Sequence, residues 1–209
     1  MNITKYRKVI FLLPVILAVF VIVACQKPVR LPVLAKSDVV VAFGDSITYG
    51  IGAGPQESYP AVLEQIIGRR VVNAGISGEV TAEGLSRLPQ ILEQEKPALL
   101  ILCHGGNDYL RRLGREKTAD NIREMIRLAK QNGAAVVLIA VPGLSFSVSP
   151  EPLYKDIAKE FKIPLEEKTL SDVLSDNSLK SDLIHPNAAG YRRLAEAVAA
   201  LLKKSGAID

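Results

Sequence analysis

Residues 38–50 read DVVVAFGDSITYG, an apolar run that ends in a Gly-Asp-Ser turn. Three further runs have the same character: RVVN at 70–73, ALLILC at 98–103 and AVVLIAV at 135–141. They are rich in Val, Ile and Leu and do not alternate with polar residues, which is typical of strands buried on both faces of a parallel sheet. A fifth and weaker strand is predicted near 163–166.

Helical stretches separate these strands. They are predicted at 57–67, 81–95, 118–131, 150–161 and 187 to about 204. Thr118 is expected to cap the third helix, which ends near Gly133. The alternation of strand and helix predicts one α/β domain over 38–209, three-layer α/β/α with a parallel, flavodoxin-like five-stranded sheet. In such sheets ligands bind beyond the carboxyl ends of the strands, so we expect catalytic residues just after a strand.

The first 24 residues have the layout of a secretory signal peptide. Basic residues at positions 5–8 precede the apolar run VIFLLPVILAVFVIVA, which Cys25 follows. Small Ala24 stands directly before Cys25, and Ile22-Val23-Ala24-Cys25 resembles the bacterial lipobox. The resemblance implies cleavage before Cys25 and lipidation of its thiol, which would anchor the protein stably in a membrane. Residues 25–37 would then be the lipidated cysteine and a short tether.

The alternative for this segment is an uncleaved transmembrane helix. The apolar run is short for crossing about 30 Å of hydrocarbon. Pro14 also interrupts it. The lipoprotein interpretation is therefore preferred. Under either interpretation the folded domain is attached to a membrane of the bacterial cell envelope and lies outside the cytoplasm.

The charge balance excludes a nucleic-acid-binding function. The net charge of +4 falls to 23 basic against 22 acidic residues once the three basic residues of 1–24 are removed. A nearly neutral body offers nucleic acid no positive surface. A local basic cluster is interpreted as solvated surface; it consists of Arg111, Arg112, Arg115 and Lys117.

The cysteines and histidines are too few and too scattered for a metal site. With Cys25 lipidated, Cys103 is left as a free thiol at the end of an apolar strand. The two histidines, His104 and His185, lie far apart, and no pair of cysteines has ligand spacing. We expect no metal and no cofactor.

Four polar clusters follow the predicted strands or precede the last helix: GDSITYG at 44–50, NAGISG at 73–78, GGND at 105–108 and DLIHP at 182–186. Together they resemble the SGNH hydrolase superfamily, also called GDSL esterases, over about 38–204. The stretches NAGISGEVTAEGLSRLPQIL and HGGND are most similar to the small bacterial thioesterase, arylesterase and lysophospholipase subgroup.

The resemblance implies a role for five residues. Ser46 corresponds to the nucleophile, His185 to the general base and Asp182 to the acid that orients the histidine. Ser46, Gly78 and Asn107 correspond to the oxyanion hole. The residue types suit these roles, because a serine hydroxyl needs an adjacent base that titrates near neutrality. Backbone and amide N–H groups aimed at developing negative charge stabilise the transition state.

Two features depart from the family pattern or extend the site. Ile47 is an apolar replacement in the first motif, and His104 places a polar ring next to the Gly-Gly pair. His104 is expected to line the substrate site, the alternative being a structural role beneath it. The segment 142–150 is apolar for a loop, so that Leu144 and Phe146 could line the site as an acyl-chain wall. The alternative is a loop packed on its own domain.

These observations predict a monomeric serine esterase that hydrolyses carboxylic esters or thioesters through an acyl-enzyme. Aryl esters, acyl-thioesters and lysophospholipids are the expected substrates. One alternative is an acyltransferase that moves an acyl group to or from an envelope glycan with the same residues. Another is a non-catalytic surface lipoprotein, which the presence of all five catalytic positions disfavours. An α/β-hydrolase is disfavoured because the sequence has no Gly-x-Ser-x-Gly motif.

Overall fold

The structure is a computed structural model and describes residues 29–144 and 148–209. Its strands are β1 (Val40–Gly44), β2 (Val71–Gly75), β3 (Leu99–Cys103), β4 (Ala135–Ile139), β5 (Pro142–Leu144), β6 (Val148–Pro150) and β7 (Leu165–Glu166). Five of them form a parallel sheet in the order β2-β1-β3-β4-β7. This is the flavodoxin-like order, so the predicted fold class is confirmed, and the weak fifth strand is the edge strand β7.

Helices cover both faces of this sheet. They are α1 (Ser46–Tyr49), α2 (Tyr59–Ile67), α3 (Thr81–Glu95), α4 (Gly106–Leu110), α5 (Arg115–Gln131), α6 (Pro152–Phe161), α7 (Thr169–Ser175) and α8 (Ala188–Lys204). Short 3-10 turns lie at Pro55–Glu57 and Asn177–Leu179. No helix of the described ranges is both long enough and apolar enough to cross a bilayer.

The core lies where the apolar runs predicted it. Every residue of β1 and β3 is buried, as is all of β4 except its first residue. Removing apolar side chains from water on both faces of the sheet supplies the main driving force for folding. The helices add fully buried side chains to this core, such as Leu88 on α3, Ile122 on α5 and Leu194 on α8.

The structure differs from the predicted secondary structure at three places. The helix expected at 118–131 begins at Arg115, and Thr118 lies inside it, with its hydroxyl donating to the carbonyl of Gly114 at 2.9 Å. The turn is made earlier because Gly114 adopts a positive φ of +99°. The segment 142–150, which was predicted as a loop, contains the antiparallel pair β5 and β6. Helix α7 was not predicted.

The body of the protein also begins earlier than Asp38. The backbone N–H of Leu31 donates to the carbonyl of Ser205 at 2.9 Å, and that of Leu34 donates to the carbonyl of Ala207 at 2.8 Å. Leu34 is buried against the core. Residues predicted as a free tether are thus held against the end of α8, whereas Cys25 lies outside the described residues.

The sheet has a topological switch point between β1 and β3. The chain passes from β1 to β2 on one side of β1 and then crosses to β3 on the other side. Ligands of open parallel sheets bind at the carboxyl edge beside such a point. Ser46 comes directly after β1 at this edge, and Gly105 and Gly106 come after β3.

Candidate active site

Ser46 is presented by a sharp turn from strand to helix. It is the first residue of α1, and the buried carboxylate of Asp45 accepts a hydrogen bond from the N–H of Ile47 at 3.1 Å. A side chain at Gly44 would overlap the carbonyl oxygen of Cys103, and one at Gly75 would overlap the backbone N of Tyr49. Glycine at position 44 therefore lets β1 approach β3 closely. Glycine at position 75 lets β2 approach α1, the helix that begins with Ser46.

The structure brings Ser46, His185 and Asp182 into one hydrogen-bonded chain. Ser46 Oγ lies 3.0 Å from Nε2 of His185, and Nδ1 of His185 lies 2.8 Å from Oδ2 of Asp182. A carboxylate can only accept, so Nδ1 carries the hydrogen and Nε2 of the neutral ring is left to accept the serine proton. This is the arrangement that activates a serine hydroxyl.

Asp182 also holds the backbone of its own segment. Its Oδ1 accepts hydrogen bonds from the N–H groups of Ile184 at 2.8 Å and His185 at 2.9 Å. Partial burial raises the pKa of Asp182, but the hydrogen bonds from the His185 ring and these two N–H groups outweigh burial and lower it below its ordinary value. Asp182 is therefore a carboxylate at neutral pH, and it holds both the imidazole and the backbone that carries the imidazole.

Asn107 and Gly78, the other two predicted residues of the oxyanion hole, are each held by a hydrogen bond. The Nδ2 group of Asn107 donates to the carbonyl of Glu79 at 2.9 Å, and its second hydrogen is available to a ligand. Gly78 has a φ of +80°, and its carbonyl accepts from Nη2 of Arg111 at 2.7 Å. Asn107 lines the same cleft as Ser46 and His185, whereas Gly78 is not among the described residues that line it.

The cleft beside Ser46 is lined mainly by apolar side chains. Its apolar lining consists of Ile47, Leu110, Val141, Pro142, Leu170, Leu174 and Ile184. Of the predicted wall residues, Phe146 and the side chain of Leu144 lie outside the described residues. Leu170 and Leu174 on α7 were not predicted as lining residues, although their spacing of four residues places them on one helix face.

His104 does not line the cleft, and the expectation that it would is wrong. Its ring is completely buried. The N–H of Gly105 donates to Nδ1 at 3.0 Å, so Nε2 carries the hydrogen and donates to Oε2 of Glu79 at 3.1 Å. Both ring nitrogens have hydrogen-bond partners inside the domain, so the ring can be buried without an unpaired polar atom. His104 therefore has the structural role that was the alternative expectation.

Glu79 is a buried carboxylate that sequence reasoning missed. Arg87 donates to it twice, from Nε at 2.6 Å and from Nη2 at 2.8 Å. Burial raises the pKa of Glu79, but the hydrogen bonds from His104 and Arg87 and the Arg87 charge outweigh burial and lower it below its ordinary value. Glu79 thus carries a negative charge beneath the site, while its carbonyl oxygen holds Asn107.

Asp108 ties the third polar cluster to helix α3. Its Oδ2 accepts from the N–H of Thr81 at 2.9 Å and its Oδ1 accepts from the Thr81 hydroxyl at 2.5 Å. Asp108 is 3% exposed. Since Asp108 adjoins Asn107, this pair of bonds helps to fix the amide that faces the cleft.

Comparison with known proteins shows to which family the chain belongs. The sequence profile of the GDSL-like lipase/acylhydrolase family matches residues 42–193, which contain every residue of the hydrogen-bonded chain described above. The chain belongs to this family. As a GDSL-like acylhydrolase it is an enzyme that cleaves ester-type acyl bonds, and the predicted family and enzyme class are confirmed.

Relatives of this GDSL-like hydrolase cover most of its length. It is 33% identical to esterase TesA of Pseudomonas aeruginosa over 190 residues, which is 86% of this chain and 94% of TesA. It is 31% identical to the thioesterase 1/protease 1/lysophospholipase L1 of Escherichia coli K12 over 161 residues, 73% of this chain and 77% of that protein. A crystal structure of TesA superposes with a TM-score of 0.71 at 32% identity, covering 79% of this chain and 98% of TesA.

Proposed function

We propose that this GDSL-like hydrolase cleaves carboxylic esters and thioesters through an acyl-enzyme on Ser46. The observation that carries the proposal is the chain from Ser46 Oγ to His185 Nε2 and from His185 Nδ1 to Asp182, at 3.0 and 2.8 Å. It opens into an apolar cleft that suits the acyl group of a substrate. The relatives named esterase and thioesterase point to the same range of bonds.

In the first half of the reaction, Ser46 Oγ attacks the carbonyl carbon and its proton passes to Nε2 of His185. The oxyanion that forms accepts hydrogen bonds from the N–H of Ser46 and the amide of Asn107, which both line the cleft, and the N–H of Gly78 is the third proposed donor. When the intermediate collapses, the alcohol or thiol leaves with the proton that His185 returns. The acyl group stays on Ser46 as an ester.

In the second half, water takes the place of the leaving group. His185 removes a proton from water, the hydroxide oxygen bonds to the acyl carbon, and the second oxyanion uses the same donors. Collapse breaks the bond to Ser46 Oγ, which regains its proton from His185, and releases the free acid. Asp182 stays ionised throughout, which agrees with its lowered pKa.

The proposed location is the bacterial cell envelope. The basic and apolar segments before Cys25 and the lipobox-like Ile22-Val23-Ala24-Cys25 support a lipid anchor there. Mass spectrometry of the membrane-extracted protein tests the anchor. A mature chain that begins at a diacylated Cys25 is expected, and an intact Met1 or an unmodified Cys25 contradicts the anchor.

The test of the chemistry compares wild type, Ser46→Ala and Ser37→Ala in steady-state hydrolysis of aryl esters of increasing acyl length, a thioester and a lysophospholipid. Ser37 is an exposed serine at the opposite edge of the sheet and serves as the matched control. Turnover is expected to vanish in Ser46→Ala and to be unchanged in Ser37→Ala. Retained turnover in a folded Ser46→Ala protein contradicts the proposal.

A further inference from the structure

The active site and the start of the described chain lie at opposite edges of the sheet. Ser46 follows the carboxyl end of β1. By contrast, the carbonyl of Leu34 accepts hydrogen bonds from Arg69 at 3.2 and 3.0 Å, and Arg69 stands just before the amino end of β2. The segment around Leu34 therefore runs along the amino edge, with the full length of the parallel strands between it and Ser46.

The length of helix α8 gives the distance between the active site and the N-terminal segment. Its N-cap, Asn187, is two residues from His185, and its other end meets the N-terminal segment, where Leu31 donates to Ser205. The helix has 17 residues, which at 1.5 Å per residue is about 26 Å. Leu31 is thus held about one length of α8 away from His185 at the mouth of the active site.

The chain before Leu31 is too short to span this distance. Six residue steps separate Cys25 from Leu31, and a fully extended chain covers at most about 21 Å over six steps. Turning the mouth of the site onto the membrane would lift Leu31 about 26 Å above the surface, beyond the reach of the lipidated residue. An anchor at Cys25 is therefore incompatible with an orientation in which the mouth of the site rests on its own membrane.

We propose that the active site faces away from the membrane that holds the anchor, and that its substrates are esters delivered from the aqueous phase, not lipids embedded in that membrane. The proposal rests on the lipid anchor of the proposed function. It narrows the substrate class to esters that are monomeric in water or are presented by a surface opposite the anchoring membrane.

The surface chemistry of the amino edge agrees with this orientation. Around the N-terminal segment, four basic side chains are exposed and form no ion pair within the described part of the chain; they are Arg30, Lys36, Lys203 and Lys204. Val33 at the same edge is 76% exposed. Phospholipid headgroups with negative charge attract such a surface.

A pair of single tryptophans tests the orientation without any assay of activity. The chain contains no Trp, so Val33→Trp and Leu183→Trp each add one emitter. The two positions are matched in exposure, at 76% and 83%, and lie at the amino edge and beside His185 respectively. The full chain is placed in phosphatidylethanolamine and phosphatidylglycerol vesicles that carry a headgroup nitroxide lipid.

The expected result is strong quenching of Val33→Trp and no quenching of Leu183→Trp beyond that given by nitroxide lipid in separate vesicles. Equal quenching of the two, or stronger quenching of Leu183→Trp, overturns the proposal. Protein that does not float with the vesicles overturns it through loss of the anchor. Hydrolysis of a soluble aryl ester by the same samples reports separately on the chemistry at Ser46.

A lengthened tether provides a second test. An insert of 30 Gly and Ser residues between Pro28 and Val29 adds a root-mean-square reach of about 30 Å, which exceeds the distance that α8 imposes. The probe is a long-chain fluorogenic ester that the detergent-solubilised enzyme hydrolyses. With this ester in the enzyme's own vesicles, the insert is expected to raise turnover and to leave soluble aryl ester hydrolysis unchanged. Equal turnover of the bilayer ester by both lengths overturns the proposal.

Discussion

Replacing Glu79 by Gln is expected to lower the stability of the domain much more than a comparable surface substitution. The Glu79 side chain is 4% exposed and accepts two hydrogen bonds from Arg87 and one from His104. Glutamine has nearly the same size, so packing is conserved while the negative charge is lost. The Arg87 guanidinium is then left inside the domain without its counter-ion.

The structure sets the size of this effect. Removing one partner of a buried ion pair costs about 3–5 kcal/mol. The lower end, about 3 kcal/mol, applies because Arg87 keeps 19% of its side-chain exposure and still donates to the carbonyl of Ala74 at 2.8 Å. For a domain of this length, 1 kcal/mol changes Tm by about 2–4 °C, so Glu79→Gln should lower Tm by about 6–12 °C.

The matched control is Glu160→Gln. Glu160 pairs with Arg123 at 2.8 Å, but the two side chains are 44% and 28% exposed. An exposed pair contributes about 0.2–1 kcal/mol, so the Tm of this variant should change by at most about 4 °C. Thermal unfolding followed by circular dichroism measures both. Equal Tm values for the two variants at neutral pH would refute the account of the Glu79 pair.

The difference in Tm between wild type and Glu79→Gln should also depend on pH. The pKa of Glu79 is lower in the folded protein than its ordinary value. Its stabilising contribution is therefore fully present above the ordinary glutamate pKa and is lost as the pH falls through the lowered folded value. The Tm gap between wild type and Glu79→Gln should narrow in acid.

Other predictions concern the site and the packing around it. Because the His185 ring accepts the Ser46 proton, His185→Ala should lower kcat for an activated ester nearly as much as Ser46→Ala; a folded variant that keeps its turnover would exclude His185 as the base. Asn107→Ala should lower kcat about 10²–10³-fold in the same assay. His104→Ala should lower Tm but reduce kcat far less than His185→Ala, and the reverse order in kinetic assays would contradict the structural role of His104. In Gly84→Ala the new methyl group would overlap Nε2 of His104, so thermal unfolding should show a loss of about 1–3 kcal/mol despite the better helix propensity of alanine.

The sheet could be predicted because its signal is local. Each central strand is a short run of Val, Ile and Leu, and the runs stand at the spacing that one crossover helix requires. Helix α3, Thr81–Glu95, agrees with the helix predicted at about 81–95. The antiparallel pair β5 and β6 was not predicted, because strands of three residues are too short for a period to appear.

The parts that escaped prediction depend on contacts between distant residues. His104 has no acid close before it in sequence, and its partner Glu79 lies 25 residues upstream. Leu31 and Leu34 appear in a proline-containing stretch without a period, yet both bond to residues beyond 200. By contrast, Asp182 and His185 could be paired from sequence because one turn of backbone joins them.

Covalent labelling identifies which serine is the nucleophile without any assay of turnover. The full chain is treated with a fluorophosphonate, digested, and analysed by peptide mass spectrometry, with His185→Ala treated in parallel. We expect one phosphonyl adduct, on Ser46. The reaction should be strongly slowed in His185→Ala, because Nε2 of His185 lies 3.0 Å from the attacking oxygen. An adduct on Ser77 or another serine, with Ser46 unmodified, would contradict the role of Ser46 as nucleophile.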